Sequence, residues 1–164
     1  YFCYGASVTE VTIDTLTGEN IIDRVDILQD AGKAINPVLE LGQIEGGFVQ
    51  GQGWLTMEEV NWKPNGQITT ISPSTYKIPA SSDIPKIFNV EIFKQGKNKE
   101  NVVNKSKTTG EPPLMLAMSV FYAIKDAVAS VGEYKVIPKL DAPATPEKII
   151  MSLNELKSRI RYDS

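Results

Sequence analysis

The chain has 164 residues, 41% apolar and 23% charged, with a formal net charge of −3; it is long enough to bury about 70% of its unfolded surface around one core, or two lobes sharing a core. The negative balance argues against nucleic acid and anionic membrane surfaces as partners, because neither field attracts it. With no histidine and the single cysteine Cys3, an intramolecular disulfide, a Cys/His zinc site, an iron–sulfur cluster held by this chain, and Ser–His or Cys–His nucleophilic pairs are excluded.

The chain opens on Tyr1-Phe2-Cys3-Tyr4, with no basic region, long apolar run or starting methionine. A strand already under way is expected there, inside a larger polypeptide. Residues 6 to 14 alternate, with Ala6, Val8 and Glu10 on one face. Thr15 to Glu19 is a turn, and Ile21 to Leu28 the second arm of a hairpin. After a glycine-containing loop from Asp30, Asn36 and Pro37 are a cap and first position for a helix over 38–58. Residues 62–71 read as a strand or hairpin around Lys63-Pro64-Asn65-Gly66. Three prolines make 73–85 irregular, and Val90 to Lys94 is a short strand. A second helix runs over 113–131; from Leu114 to Ile124 only Ser119 is clearly polar, so deep burial is expected. Gly132 stops it, and a third helix begins near Thr145-Pro146-Glu147, with Ile149, Leu153, Leu156 and Ile160 at helical spacing. No stretch approaches the ~18 apolar residues of a membrane span. Strand hairpins, two long helices and a C-terminal helix predict an α+β fold.

Two constellations carry chemistry. The first helix holds Gly42, Gly46, Gly47, Gly51 and Gly53. Each interior glycine costs about 1 kcal/mol against alanine, so close approach of another object must offset them. Gln43 and Gln50 share a face with Gly46 and Gly47 between them, which makes a shallow groove with an amide at each end. Ile44, Phe48 and Leu55 face the core and Gln52 lies off the groove. The spacing fits two readings: a helix crossing a neighbour closely, or a ligand groove. The second constellation is Thr108-Thr109-Gly110-Glu111-Pro112-Pro113. Pro112 biases Glu111 toward extended backbone just before the buried helix. Glu111 is then either a helix-start carboxylate or a rigidly held base. The lysines at 94, 97, 99, 105 and 107 read as a solvated loop. Pro73 to Pro79 is an ordered extended loop, and Trp54 and Trp62 are core or interface anchors.

Gly42 to Gly51, Pro73-Ser74-Thr75-Tyr76-Lys77-Ile78-Pro79 and Lys107 to Leu114 resemble three successive motifs of the xanthine dehydrogenase/aldehyde oxidase family, in its order and at about its spacing. The loop from Asp30 to Pro37 and the tail from Asp141 to Glu147 are similar too, so the resemblance covers essentially the whole chain. The Pro-Ser-Thr-Tyr-Lys-Ile-Pro run resembles the xanthine dehydrogenase branch more than the aldehyde oxidases. The resemblance implies a partial two-layer molybdenum cofactor-binding domain over residues 1–164, from the C-terminal part of a cytoplasmic molybdenum subunit. It implies hydroxylation of purines, hypoxanthine or xanthine to urate, or oxidation of aldehydes. Molybdenum–molybdopterin is the implied cofactor, bringing its own metal ligands, so the chain itself supplies none. The 2Fe-2S clusters and FAD would sit on other domains or subunits; these and the rest of the molybdenum subunit are the implied partners. Glu111 matches the family's general base, which takes a proton from the attacking oxygen. Gln43 matches a glutamine lining the cofactor pocket, with Gly46, Gly47 and Gly110 expected beside the cofactor. Thr108-Thr109 stand where the family commonly has a small residue and a valine.

Overall fold

Strands Gly5–Ile13 (β1) and Asn20–Gln29 (β2) form the predicted antiparallel hairpin in the computed structural model, which describes residues 1–162. The turn is set by Asp14, whose Oδ1 accepts from the Leu16 N–H at 2.7 Å and the Thr17 N–H at 3.2 Å. Gly18 completes it at a φ of 76°.

Ala6, Val8 and Glu10 share one face of β1 as expected, and it is the outward one. Ala6, Val8 and Glu10 are exposed, while Ser7, Thr9, Val11 and Ile13 are half-buried. Ser7 and Thr9 can face the helix layer because Ser119 lies 3.0 and 2.7 Å from their hydroxyls. A register shift between Glu10 and Val11 leads into the apolar end of the strand, where Val11 and Ile13 pack on the core. Alternation alone does not say which face turns inward, because the inward residues at this end are polar and satisfied.

Helix α1 (Pro37–Thr56) starts as the capping residues predict: Asn36 Oδ1 accepts from Leu39 N–H at 3.4 Å, and Glu40 Oε1 from Ile35 N–H at 2.8 Å. It crosses to β3 (Ile87–Ile92), which pairs with β2 in parallel, so the sheet runs β1-β2-β3 and is mixed rather than built from hairpins alone. Residues 62–71 keep only one isolated bridge, Trp62 to Ile68, around the Gly66 turn. The loop from Pro73 to Pro79 docks on the end of α1 through a Tyr76 hydroxyl that donates to Glu58 Oε2 at 2.6 Å. That bond to a carboxylate raises the tyrosine pKa.

The second helix is divided. Pro112–Ala117 is a 3-10 segment and Met118–Val131 is α2. Only one face is covered: Ala117, Val120, Ile124 and Val128 are buried, while Met115, Met118 and Tyr122 are exposed. The expectation of all-round burial therefore fails in the described chain. Also contrary to expectation, Pro112–Val131 is 20 residues long and apolar enough to cross a membrane by length and composition. Here its buried face packs on the core instead.

Helix α3 (Pro146–Tyr162) buries Ile149, Leu153 and Leu156 as predicted. Its Leu156 and Ile160 lie where Gly132 would carry a side chain, so that glycine admits α3 as well as ending α2. The core lies between one sheet face, through Val25 and Ile27, and the helices, through Ile44, Phe48, Val120 and Ile124. Phe48 and Phe88 meet at 5.5 Å between α1 and β3. The opposite sheet face is solvent-facing and mixed, carrying Arg24, Asp26 and Asn89 beside the exposed Val8, Leu28 and Ile87. The result is the α+β, two-layer arrangement expected.

Candidate functional site

The lead into Glu111 is tied down from several sides. Lys107 is not part of a solvated loop, unlike the other lysines of its series. Its ammonium pairs with Asp30 Oδ2 at 2.6 Å, with side chains only 7% and 11% exposed. It also lies 5.3 Å from the centre of the Tyr4 ring. The Lys107 N–H donates to Ala31 O at 2.8 Å, and Gly32 bridges Ser106 in antiparallel fashion. Asp30 Oδ1 accepts from the Gly32 N–H at 2.9 Å. Spacing could not show this, because the partners are 77 positions apart.

Beyond the turn, the 3-10 segment locks into α1. A Cβ on Gly47 would stand 2.9 Å from Gly110 O and 3.4 Å from Pro113 Cβ; one on Gly51 would strike the Leu114 carbonyl. Gly53 similarly admits Pro79, at 2.6 Å. These three glycines are the close-approach positions, and what approaches is this chain itself: backbone at Gly47 and Gly51, the Pro79 ring and Glu58 side chain at Gly53. Gly42 and Gly46 differ: a Cβ on either has no neighbour within 4 Å.

Glu111 is exposed and sits just before the first proline, at φ −99° and ψ −41°. It is helical rather than extended, because its carbonyl accepts from the Leu114 N–H at 3.1 Å and so points along the turn. The pre-proline bias disfavours this conformation without forbidding it. Its carboxylate makes no capping bond. The reason is a lack of donors: Pro112 and Pro113 have no N–H, and the Leu114 N–H is used by the Glu111 carbonyl. The carboxylate is thus held by its backbone and, among the described residues, left free at its oxygens.

Gln43 and Gly110 are brought together, and Glu111 follows Gly110 in the chain. Gln43 Oε1 lies 3.4 Å from where a Gly110 Cβ would be. Gln43, Gly46, Gly110 and Glu111 are each exposed; Gly47 is buried beneath Gly110 and Pro113. Gln50 is exposed, whereas Gln52 is 1% exposed and donates through Nε2 to Asp83 O at 2.6 Å, so it belongs to the interior. Trp54 and Trp62 are exposed and are not core anchors. The site is an open face rather than an enclosed cavity. A separate cavity of about 710 Å³ lies between Gly32 to Leu41 and β3, without Glu111 or Gln43 in its wall.

The donor chemistry of this face fits a cofactor that carries its own metal ligands. A chain without histidine and with Cys3 alone offers no soft ligand set. What it offers is a bare glycine strip, a side-chain amide and an unengaged carboxylate. Gly42 and Gly46 leave room for a planar group to reach the helix backbone.

Residues 1–85 match the molybdopterin cofactor-binding domain family, and the chain belongs to it. Within that family its sequence is xanthine dehydrogenase-like. It is 48% identical over 154 residues to xanthine dehydrogenase/oxidase of Rattus norvegicus, covering 91% of this chain and 12% of that protein. It is 44% identical over 158 residues to aldehyde oxidase 1 of Bos taurus, covering 94% of this chain and 12% of that one. The fold is shared with quinoline 2-oxidoreductase from Pseudomonas putida 86, at a TM-score of 0.77 and 30% identity, over 88% of this chain and 18% of that chain. The chain therefore spans about an eighth of the length of these curated relatives.

Proposed function

We propose that this chain supplies the base-bearing face of a molybdenum hydroxylase of the xanthine dehydrogenase kind, acting on hypoxanthine and xanthine, with Glu111 as general base. The observation that carries this reading is the unengaged Glu111 carboxylate, without a donor to cap, held between two prolines and the Gly110 that Gln43 meets. Gln43, Gly46 and Gly110 would lie against molybdenum–molybdopterin, with Gly47 seating Gly110 from below. The bound group supplies the two-electron oxidation. This chain's part is to hold the group close to the α1 backbone and to take up a proton at the Glu111 carboxylate. The remainder of the molybdenum subunit, with iron–sulfur and FAD components, completes the enzyme in this reading.

The test is Glu111→Gln in the complete enzyme. Glutamine keeps the shape and an acceptor oxygen but cannot take the proton. Turnover should fall by at least about 10²-fold, the lower end of what a positioned base contributes, while molybdenum stays bound. Near-normal turnover at full metal content would remove the catalytic assignment. Aldehyde oxidation is the second reading, favoured by the 44% identity to an aldehyde oxidase. Comparing kcat/KM for xanthine and for an aromatic aldehyde on the same preparation decides between them.

A further inference from the structure

We propose that Asp30 and Lys107 form a positioning pair that sets where Glu111 is presented; this rests on the reading of Glu111 as the base. Glu111 lies between two anchors. Downstream, Pro113 and Leu114 are seated against Gly47 and Gly51 of α1. Upstream, Lys107 is the last side chain with a buried ionic partner before the turn, four positions ahead of Glu111. Between the anchors lies Gly110, which adds backbone freedom exactly where placement matters. Nearer the turn, Thr108 is held only by exposed bonds, its N–H donating to the Tyr1 hydroxyl at 3.2 Å and its carbonyl accepting from Cys3 Sγ at 3.6 Å, so the buried ion pair at Lys107 is what fixes the approach to Gly110.

The pair is built for direction rather than for stability. A buried ion pair gives little net stability over an apolar pair of similar shape, because desolvation offsets the attraction. An ion pair does fix geometry, and this one is embedded in bonds that do the same. Asp30 is oriented by the Gly32 N–H at 2.9 Å and its own N–H donates to Tyr4 O at 2.8 Å. Gly96 leaves room for the Asp30 carboxylate, which a Cβ there would strike. Lys107 N–H is fixed to Ala31 O at 2.8 Å, and Ser106 O accepts from Asn98 Nδ2 at 2.9 Å. The 30–32 loop thus acts on Glu111 through Lys107 without reaching the site itself.

Three variants of the complete enzyme test this: Asp30→Asn, which keeps an acceptor for the Gly32 N–H; Lys107→Met, which keeps the stem; and the neutral double variant. Glu111→Gln is run beside them. Each is read for kcat, KM, molybdenum content, Tm and amide hydrogen exchange over residues 108–114. Asp30→Asn should lower kcat by about 10- to 100-fold, the effect of a misplacement of about 1 Å. KM should change by less than about twofold, molybdenum content should hold, and exchange over 108–114 should quicken. The double variant, with no unpaired buried charge, should regain Tm without regaining kcat. Native exchange and native kcat in Asp30→Asn would overturn the proposal. Recovery of kcat together with Tm in the double variant would also overturn it, because the pair would then be a stability feature alone. If Glu111→Gln keeps its turnover, the base reading fails, and exchange over 108–114 alone decides whether the pair holds the turn.

Discussion

A carboxylate at the start of a helix normally does structural work, and Glu111 does not. Removing a functioning cap costs about 1 kcal/mol. Glu111→Ala should therefore leave Tm almost unchanged, within the range of about 0.5 kcal/mol usual for a surface substitution. A larger loss in thermal unfolding would reveal a bond to this side chain that the structure lacks. Asp26 is the contrasting residue, an exposed carboxylate that is engaged. Arg24 bonds it at 2.6 Å and Asn89 at 2.8 Å, and together they hold its pKa down at about 2, from an ordinary 3.8. A depressed pKa means the ionised form favours the fold. Its contribution is complete above pH 3.8 and is lost as pH falls toward 2. A carbon-detected NMR titration should place the Asp26 midpoint near 2, and Arg24→Gln should move it up toward 3.8. A midpoint unmoved by Arg24→Gln would count against the guanidinium as the cause. The turn at Glu111 was legible in the sequence because two prolines and a glycine mark it, although its backbone is helical rather than extended. Lys107 was not, because its partner Asp30 is brought to it only by the fold.

At the scale of elements, the glycines of α1 divide into two functions that composition cannot separate. Gly47 and Gly51 face the 3-10 segment, whereas Gly42 and Gly46 face open space. Gly42→Ala should raise helix stability by about 0.5–1 kcal/mol, because nothing opposes the methyl group. Gly51→Ala should lower Tm, because its methyl meets the Leu114 carbonyl and overpacking costs about 1–3 kcal/mol. An equal response at both positions would mean that the contact is loose. Gly46→Leu in the complete enzyme should reduce molybdenum content without reducing Tm. Lys63→Ala is the suitable control, since Lys63 is exposed on the Gly66 turn outside α1 and Gln52 is interior. Equal molybdenum content in both would deprive the open strip of its role. The helix boundaries, the cap at Asn36 and the hairpin could be read locally, since each depends on neighbours within a few residues. The inward face of β1 and the parallel placement of β3 could not. Both depend on what packs from far along the chain: Ser119 on Thr9, and the α1 crossover beside β2.

For the whole molecule, a telling feature is how many large apolar side chains stand uncovered. Val38, Leu39 and Ile71 are 78%, 67% and 79% exposed, and Met115 60%. Single exposed apolar residues are ordinary, but contiguous patches mark surfaces that something else covers. The relatives this chain matches are roughly eight times its length, so in the proposed enzyme most of the pocket wall comes from elsewhere. The face that carries Gln43 and Glu111 is correspondingly open. Affinity for a small ligand depends on burying most of its surface, and an open face cannot do that. Produced alone, the 164-residue chain should therefore purify without molybdenum and should not oxidise xanthine. The check is metal analysis of the purified chain by mass spectrometry, with a xanthine assay on the same sample. Substoichiometric metal and no turnover are the expected results. One molybdenum per chain would show that the Gln43 and glycine face holds the cofactor unaided, and the dependence on surrounding protein argued here would be wrong.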